Sequence, residues 1–165
     1  MLDGFLILYS CRVKLPHEAI SSKLSSENIV DVREEDLIYF KNLTYLDISD
    51  NQVFIEQLIN LINLEVLDMQ YNNLEHIDFP EKSVFSKMHT LLLSYNKIPP
   101  SHLEELSKIP NLKCLSLTSN DLLTLPDSMN YFSHLEELDL SSNTGFSSES
   151  ILVNICILRA IDESR

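Results

Sequence analysis

Two glycines, Gly4 and Gly145, are all that this chain of 165 residues contains. A loop that cradles phosphate with its backbone needs several, so nucleotide binding of that kind is excluded. Basic residues are also scarce: 12 Lys and Arg stand against 25 Asp and Glu, a formal net charge of −13. That balance opposes any general attraction to nucleic-acid backbones or anionic lipid, so no direct nucleic-acid binding is expected. No run approaches the roughly 18 to 20 apolar residues of a membrane span, so no membrane association is expected either. FLILY at 5–9 is too short, follows Asp3 rather than a basic segment and lacks a small-residue cleavage pattern, so it is not read as a secretory signal. Three cysteines, Cys11, Cys114 and Cys156, are far apart and odd in number, a usage that fits a reducing compartment better than a disulfide-stapled domain. His17, His76, His89, His102 and His134 fall on different segments, without Cys or carboxylates at metal-ligand spacing. No metal, cofactor or catalytic residue is therefore expected, and the chain is read as a non-enzyme. A small-molecule ligand is not expected.

What the chain has is repetition. The eleven residues from Leu112, LKCLSLTSNDL, show apolar and Asn positions in the order L-x-x-L-x-L-x-x-N-x-L. LTYLDISDNQV from Leu43, LEVLDMQYNNL from Leu64, MHTLLLSYNKI from Met88 and LEELDLSSNTG from Leu135 repeat that order, at spacings of 21, 24, 24 and 23 residues. The first three columns are apolar in every copy: Leu43, Leu64, Met88, Leu112, Leu135; Leu46, Leu67, Leu91, Leu115, Leu138; Ile48, Met69, Leu93, Leu117, Leu140.

Each column has a physical cause. A short strand alternates its side chains between two faces, so leucines either side of one exposed residue point into one core, and stacked copies form a parallel sheet. The Asn column, Asn51, Asn72, Asn96, Asn120 and Asn143, falls where the chain leaves the strand. A carboxamide both donates and accepts, and is expected to satisfy backbone groups in its own turn and in the next coil. This pattern is identified as the leucine-rich repeat, whose period is 20 to 29 residues. The implied fold class is α/β: a leucine-rich repeat solenoid with a short curved parallel sheet on the concave side, and helices and irregular segments on the convex side. Extracellular proteins of this class usually carry disulfide-rich caps, which this chain lacks. The Asn42-Leu43-Thr44 sequon is discounted because Leu43 is a core position.

Taken in order, residues 1–18 form an N-terminal capping segment, 19–145 hold one degenerate and five clear repeats, and 146–165 form a C-terminal cap or a truncated further repeat. FLILYSCRV is read as a strand lying on the first coil and ended by Pro16. The degenerate coil runs from Ala19 to Ile29, at a 24-residue offset from Leu43, with Glu27 in place of the Asn. VREEDLIYFKN at 32–42 sets Leu37 and Phe40 three apart behind an acidic first turn, as a helix start would. FIEQLINLIN after Val53 is expected to be helical, and the 74–87 return, with Pro80, irregular. Ser101-His102-Leu103-Glu104 has capping-box spacing for a helix to about Ile109, and the 122–134 return reads as turn-rich. Gly145 stands where a core residue belongs, and the apolar segment 151–161 is expected to fold as a helix over the last coil and to leave an apolar strip exposed.

The candidate binding residues are those the strands turn outward on the concave side: Tyr45, Asp47, Val66, Asp68, Tyr71, Leu92, Tyr95, Ser116, Glu137 and Asp139. They make an apolar and aromatic centre with carboxylates at both ends, the composition of a protein interface. The plainer reading is that Val66 and Leu92 follow strand propensity while the acids keep the face wet.

The N-terminal half carries a further resemblance. Asp3-Gly4, Leu6, Cys11 and Pro16, then IVDVREEDL from Ile29 to Leu37 and LTYLD from Leu43 to Asp47, resemble the start of the repeat region in the X-ray radiation resistance-associated protein family. The resemblance implies an intracellular repeat protein linked to the response to ionising radiation, longer than this chain at both ends, with no catalytic residue to carry over. The expected function is a non-enzymatic protein-binding scaffold in the cytoplasm, with the nucleus or cilium as other sites. The alternative is a structural component docked in a large cytoskeletal or ciliary assembly.

Overall fold

A computed structural model describes residues 1–80, 84–124, 132 and 134–143. Six three-residue strands form one parallel sheet in chain order: β1 Ser21–Lys23, β2 Tyr45–Asp47, β3 Val66–Asp68, β4 Thr90–Leu92, β5 Cys114–Ser116 and β6 Glu137–Asp139. Register is unbroken from end to end. Ser22, Leu46, Leu67, Leu91, Leu115 and Leu138 lie side by side, which fixes the 24-residue offset of the degenerate first coil. The three leucine columns are buried except at Leu138, which is partly covered. Each fully buried leucine or isoleucine contributes roughly 1.5–3 kcal/mol from desolvation, and the coils gain it only by stacking.

The asparagine column binds the coils together, in the direction opposite to the one expected. Asn96 Oδ1 accepts from the backbone N–H of Asn72 (2.9 Å) and Leu74 (3.0 Å), while its Nδ2 donates to the carbonyls of Met69 and Leu93, both at 3.0 Å. Asn51 reaches Leu24 and Ile29 in the same way, and Asn143 reaches Leu117 and Leu122. Each side chain therefore serves its own turn and the preceding coil. The chain turns inward after the strand, and the backbone that meets the carboxamide there belongs to the coil already laid down. A second asparagine column precedes the first leucine: Asn42, Asn63 and Asn111 donate to the carbonyls of His17, Lys41 and Ser86, each at 2.7 Å. Among the described residues no buried side-chain nitrogen or oxygen lacks a hydrogen bond.

The N-terminal segment is a helix, α1 Gly4–Cys11, and not the expected strand. Asp3 caps it by accepting from Leu6 N–H at 2.9 Å, and Arg12 closes it in the left-handed conformation at φ 56°. FLILY does not alternate, so no strand face can be buried at the expense of another; a helix buries Ile7 and packs Leu6, Leu8 and Cys11 partway. Ser10 Oγ meets Ser22 Oγ at 2.6 Å. Ser22 occupies a leucine column, is fully buried, and is satisfied by the helix that covers it. α1 is held from the other side by α2 Glu34–Leu37, where Asp36 Oδ2 accepts from Gly4 N–H at 2.9 Å. A Cβ at residue 4 would stand 3.3 Å from that oxygen, so Gly4 is there for close approach. Leu37 and Phe40 are buried as their spacing predicts.

The return segments are tighter than expected. Ile55–Leu58 is a single 3₁₀ turn, and the segment after Pro99 makes two, Pro100–His102 and Glu105–Lys108, begun by Pro100 rather than by a Ser101 capping box. Coils of 21 to 24 residues leave little chain to recross the solenoid; a 3₁₀ turn rises about 2.0 Å per residue against about 1.5 Å for an α-helix. Residues 74–80 and 84–87 hold no helix, in keeping with the irregular return expected there. Most of the 122–134 return and the whole segment 146–165, with its expected helical cap, lie outside the described residues.

Candidate functional site on the outward face of the sheet

Side chains either side of each central leucine point away from the core. Strand register gathers them into two rows: Ser21, Tyr45, Val66, Thr90, Cys114, Glu137, and Lys23, Asp47, Asp68, Leu92, Ser116, Asp139. Eight of the ten expected residues thus share one surface. Glu137 and Asp139 sit four strands from Tyr45 and Asp47, roughly 19 Å away at about 4.8 Å per strand, so the two acidic groups bound the face without meeting. Ser21 and Lys23 join it from the degenerate coil; the 24-residue offset was the signal for them.

Tyr71 and Tyr95 belong to a third row, at the strand exits. Ser26, Asp50, Tyr71, Tyr95, Ser119 and Ser142 all have φ between 51° and 59°, in the left-handed region. The turn demands that conformation in every coil, and this glycine-poor chain meets it with residues that pay roughly 1–2 kcal/mol each. The Tyr rings stack with centroids 4.3 Å apart and planes 5° from parallel. Both stay about half exposed, at 51% and 45%.

The carboxylates have local work as well. Asp47 Oδ1 accepts from Ser49 N–H (3.1 Å) and Oγ (2.7 Å), and Asp139 does the same with Ser141 (3.0 and 2.7 Å). Asp68 accepts from the backbone and side chain of Gln70, both at 3.1 Å. In the fourth and fifth coils Leu92 and Ser116 replace the acid, and Ser116 Oγ instead meets Ser94 Oγ at 2.7 Å. Burial, with a smaller contribution from the charge of Asp47, holds Asp68 above the ordinary carboxylate range despite its Gln70 bonds. Asp139 also feels burial, but its bonds from Ser141 and Thr118 prevail and bring it below that range. Burial first, then Asp47 and Asp68, push the Tyr45 hydroxyl up, and burial with Glu137 raises the Cys114 thiol. A raised thiol pKa disfavours the nucleophilic thiolate.

Charges beside the face are treated differently. The row just before the strands pairs Lys113 with Glu136 at 2.6 Å and brings His89 to 4.0 Å from Glu65, with His89 Nδ1 on Thr90 Oγ1 at 2.9 Å. Lys97–Glu75 and Lys108–Glu105 follow, at 3.2 and 2.7 Å. Among the described residues, no ion pair involves Asp47, Asp50, Asp68, Glu137 or Asp139. No three His, Cys, Asp or Glu of the described residues are grouped to hold a metal ion, and no described helix is long and apolar enough to cross a membrane.

Family models described as leucine-rich repeat match residues 41–53, 63–83 and 133–151, which overlap the first, second and fifth clear copies. The chain is a leucine-rich repeat protein. It is similar to X-ray radiation resistance-associated protein 1 of Mus musculus, 23% identical over 129 residues that cover 78% of this chain and 16% of that protein. Oligodendrocyte-myelin glycoprotein of Homo sapiens is 31% identical over 139 residues, covering 82% of this chain and 31% of that one. Tsukushi-A of Xenopus laevis is 34% identical over 109 residues, 65% of this chain and 31% of that one. The repeat protein thus spans less than a third of each of these relatives. An internalin from Listeria monocytogenes superposes with a TM-score of 0.64 at 20% identity, covering 85% of this chain and 38% of that one. A repeat protein of Leptospira interrogans gives 0.68 at 22%, with 86% and 36% covered. Leucine-rich repeat domains of this kind are typically non-enzymatic protein-interaction modules.

Proposed function

We propose that this leucine-rich repeat protein is an intracellular scaffold that binds a partner protein on its concave face, through Tyr45, Asp47, Val66, Asp68, Tyr71, Leu92, Tyr95, Ser116, Glu137 and Asp139. The observation that carries the reading is the Tyr71–Tyr95 stack. Two half-exposed aromatic rings stack side by side on a backbone conformation that disfavours Tyr, and preorganised aromatics are frequent anchors of protein interfaces. Net charge argues against nucleic acid or anionic membrane as the ligand. The thiols of Cys11 and Cys114, both free, suit a reducing compartment, cytoplasmic or nuclear. Similarity to the mouse X-ray radiation resistance-associated protein 1 supports a link to the response to ionising radiation.

A second reading draws on the N-terminal cap. α1 exposes Phe5 at 78% and Tyr9 at 82%, one turn apart on the same helix face, as a component held by its end inside a cytoskeletal or ciliary assembly would. Affinity purification of the tagged protein separates the two. Tyr71→Ala with Tyr95→Ala is expected to release the partner and Phe5→Ser with Tyr9→Ser to retain it; the reverse pattern moves the binding surface to the cap.

A further inference from the structure

The concave face carries an unbalanced charge. Among the described residues five carboxylates, Asp47, Asp50, Asp68, Glu137 and Asp139, share it with the single cation Lys23. Every ion pair among the described residues lies elsewhere, so none of those pairs neutralises these carboxylates. Burial already works against ionised Asp68.

The tyrosine stack says where a cation would sit. Asp50, Tyr71, Tyr95 and Ser119 take the same position on consecutive coils. The 4.3 Å centroid separation is close to the strand spacing of about 4.8 Å, so the stack runs along the solenoid. Tyr95 covers one face of Tyr71, and the other is turned toward the preceding coil, that of β2, where Asp50 stands. Asp50 Oδ2 accepts from Ser26 Oγ at 2.7 Å, and its second oxygen takes no hydrogen bond among the described residues. An aromatic face beside a half-satisfied carboxylate suits a planar cation. A guanidinium stacks on the ring, sheds water more readily than an ammonium, and keeps its N–H fork for the carboxylate.

Resting on the scaffold reading above, we propose that the concave face takes an arginine-bearing basic segment of the partner protein, with one guanidinium on the free face of Tyr71 and its N–H groups turned to Asp50. The remaining carboxylates steer the segment and set its charge; Val66 and Leu92 receive its apolar side chains.

The test titrates the full chain with a blocked heptapeptide alternating glycine and arginine, and with its lysine counterpart, followed by amide NMR and by tyrosine emission, which no tryptophan obscures. Shifts are expected at 47–50, 68–71 and 92–95. The lysine peptide should bind at least about five-fold more weakly, and Asp50→Asn or Tyr71→Asn should weaken the arginine peptide by a similar factor. Asn tolerates the left-handed conformation, so both variants keep the turn. Glu75→Gln removes one charge off the face and should change affinity by less than about two-fold. Equal binding of the two peptides, equal effects of Asp50→Asn and Glu75→Gln, or no shifts on this face would each overturn the proposal. If those results coincide with loss of the cellular partner in the Tyr71→Ala, Tyr95→Ala variant, the scaffold reading survives alone; if the partner is retained as well, both fall.

Discussion

Replacing Asn96 by Leu keeps the side chain's branching and heavy-atom count and raises hydrophobicity, yet it should be among the most damaging single changes in the chain. Asn96 is 5% exposed and makes hydrogen bonds to five backbone groups. Two of the carbonyls keep other donors: Leu93 accepts from Asn120 Nδ2 at 2.9 Å and Ser94 from Tyr71 N–H at 3.1 Å. The N–H groups of Asn72 and Leu74 and the carbonyl of Met69 have no other hydrogen bond among the described residues and would be stranded. At about 2 kcal/mol for each buried group left unpaired, the loss is about 6 kcal/mol. Burying the leucine returns about 2 kcal/mol, so the net destabilisation is about 4 kcal/mol, a large share of the roughly 5–15 kcal/mol that holds a domain folded. Urea unfolding followed by tyrosine emission measures it. Amide exchange should show the loss first at residues 69–74, where the stranded groups lie. A variant within about 1 kcal/mol of the parent would refute the reasoning, because it would mean water or a relaxed turn satisfies these groups at little cost.

The half-buried Ser10–Ser22 contact should behave as a pair. Ser10→Ala or Ser22→Ala alone is expected to cost about 1–2 kcal/mol and the double variant less than the sum, so a double-mutant cycle in urea gives a favourable coupling; strict additivity would mean that α1 does not depend on that bond. Asp68 and Glu105 should give opposite pH dependences. Burial raises Asp68, so the folded state holds its proton more tightly, and its contribution to stability falls as pH rises from the ordinary carboxylate pKa through the raised folded value. Asp68→Asn should therefore gain stability at neutral pH relative to its effect in acid. The Lys108 side chain, chiefly, lowers Glu105 against a smaller opposing effect of burial, so its contribution is present above the ordinary carboxylate pKa and is lost as pH falls through the lowered folded value. Glu105→Gln should destabilise at neutral pH and make no difference in acid, as paired urea titrations would show.

The repeat frame could be read directly because its period and its alternation are both sequence properties. Leu46, Leu67, Leu91, Leu115 and Leu138 line up in the sheet as they do in the text of the chain, and so do the exposed residues between them. The first coil was legible only through its offset: Ser22 looks wrong for a leucine column until Ser10 is seen to reach it from a helix twelve residues earlier. That helix is hidden in the sequence because Asp3 reads there as a charge before an apolar run, and its role as N-cap shows only where it accepts from Leu6 N–H. The return segments read in sequence as longer helices, since Ile55, Leu58, Leu103 and Leu106 have spacings that a short 3₁₀ turn and an α-helix both satisfy; the length left for the return decides between them. The direction of the asparagine bonds depends on which coil lies behind the turn, and periodicity is silent on that. The tyrosine stack was visible as two residues in one column, but not its parallel geometry or its left-handed backbone.

The central claim is that the concave face, and not the cap, meets the partner. The most direct measurement places a photoreactive phenylalanine analogue at residue 92, in the middle of the sheet, or at residue 5, on the outer face of α1, and irradiates cells expressing each form. The account predicts that residue 92 forms a covalent adduct with a discrete partner protein and that residue 5 does not. An adduct from residue 5 with none from residue 92 would contradict it.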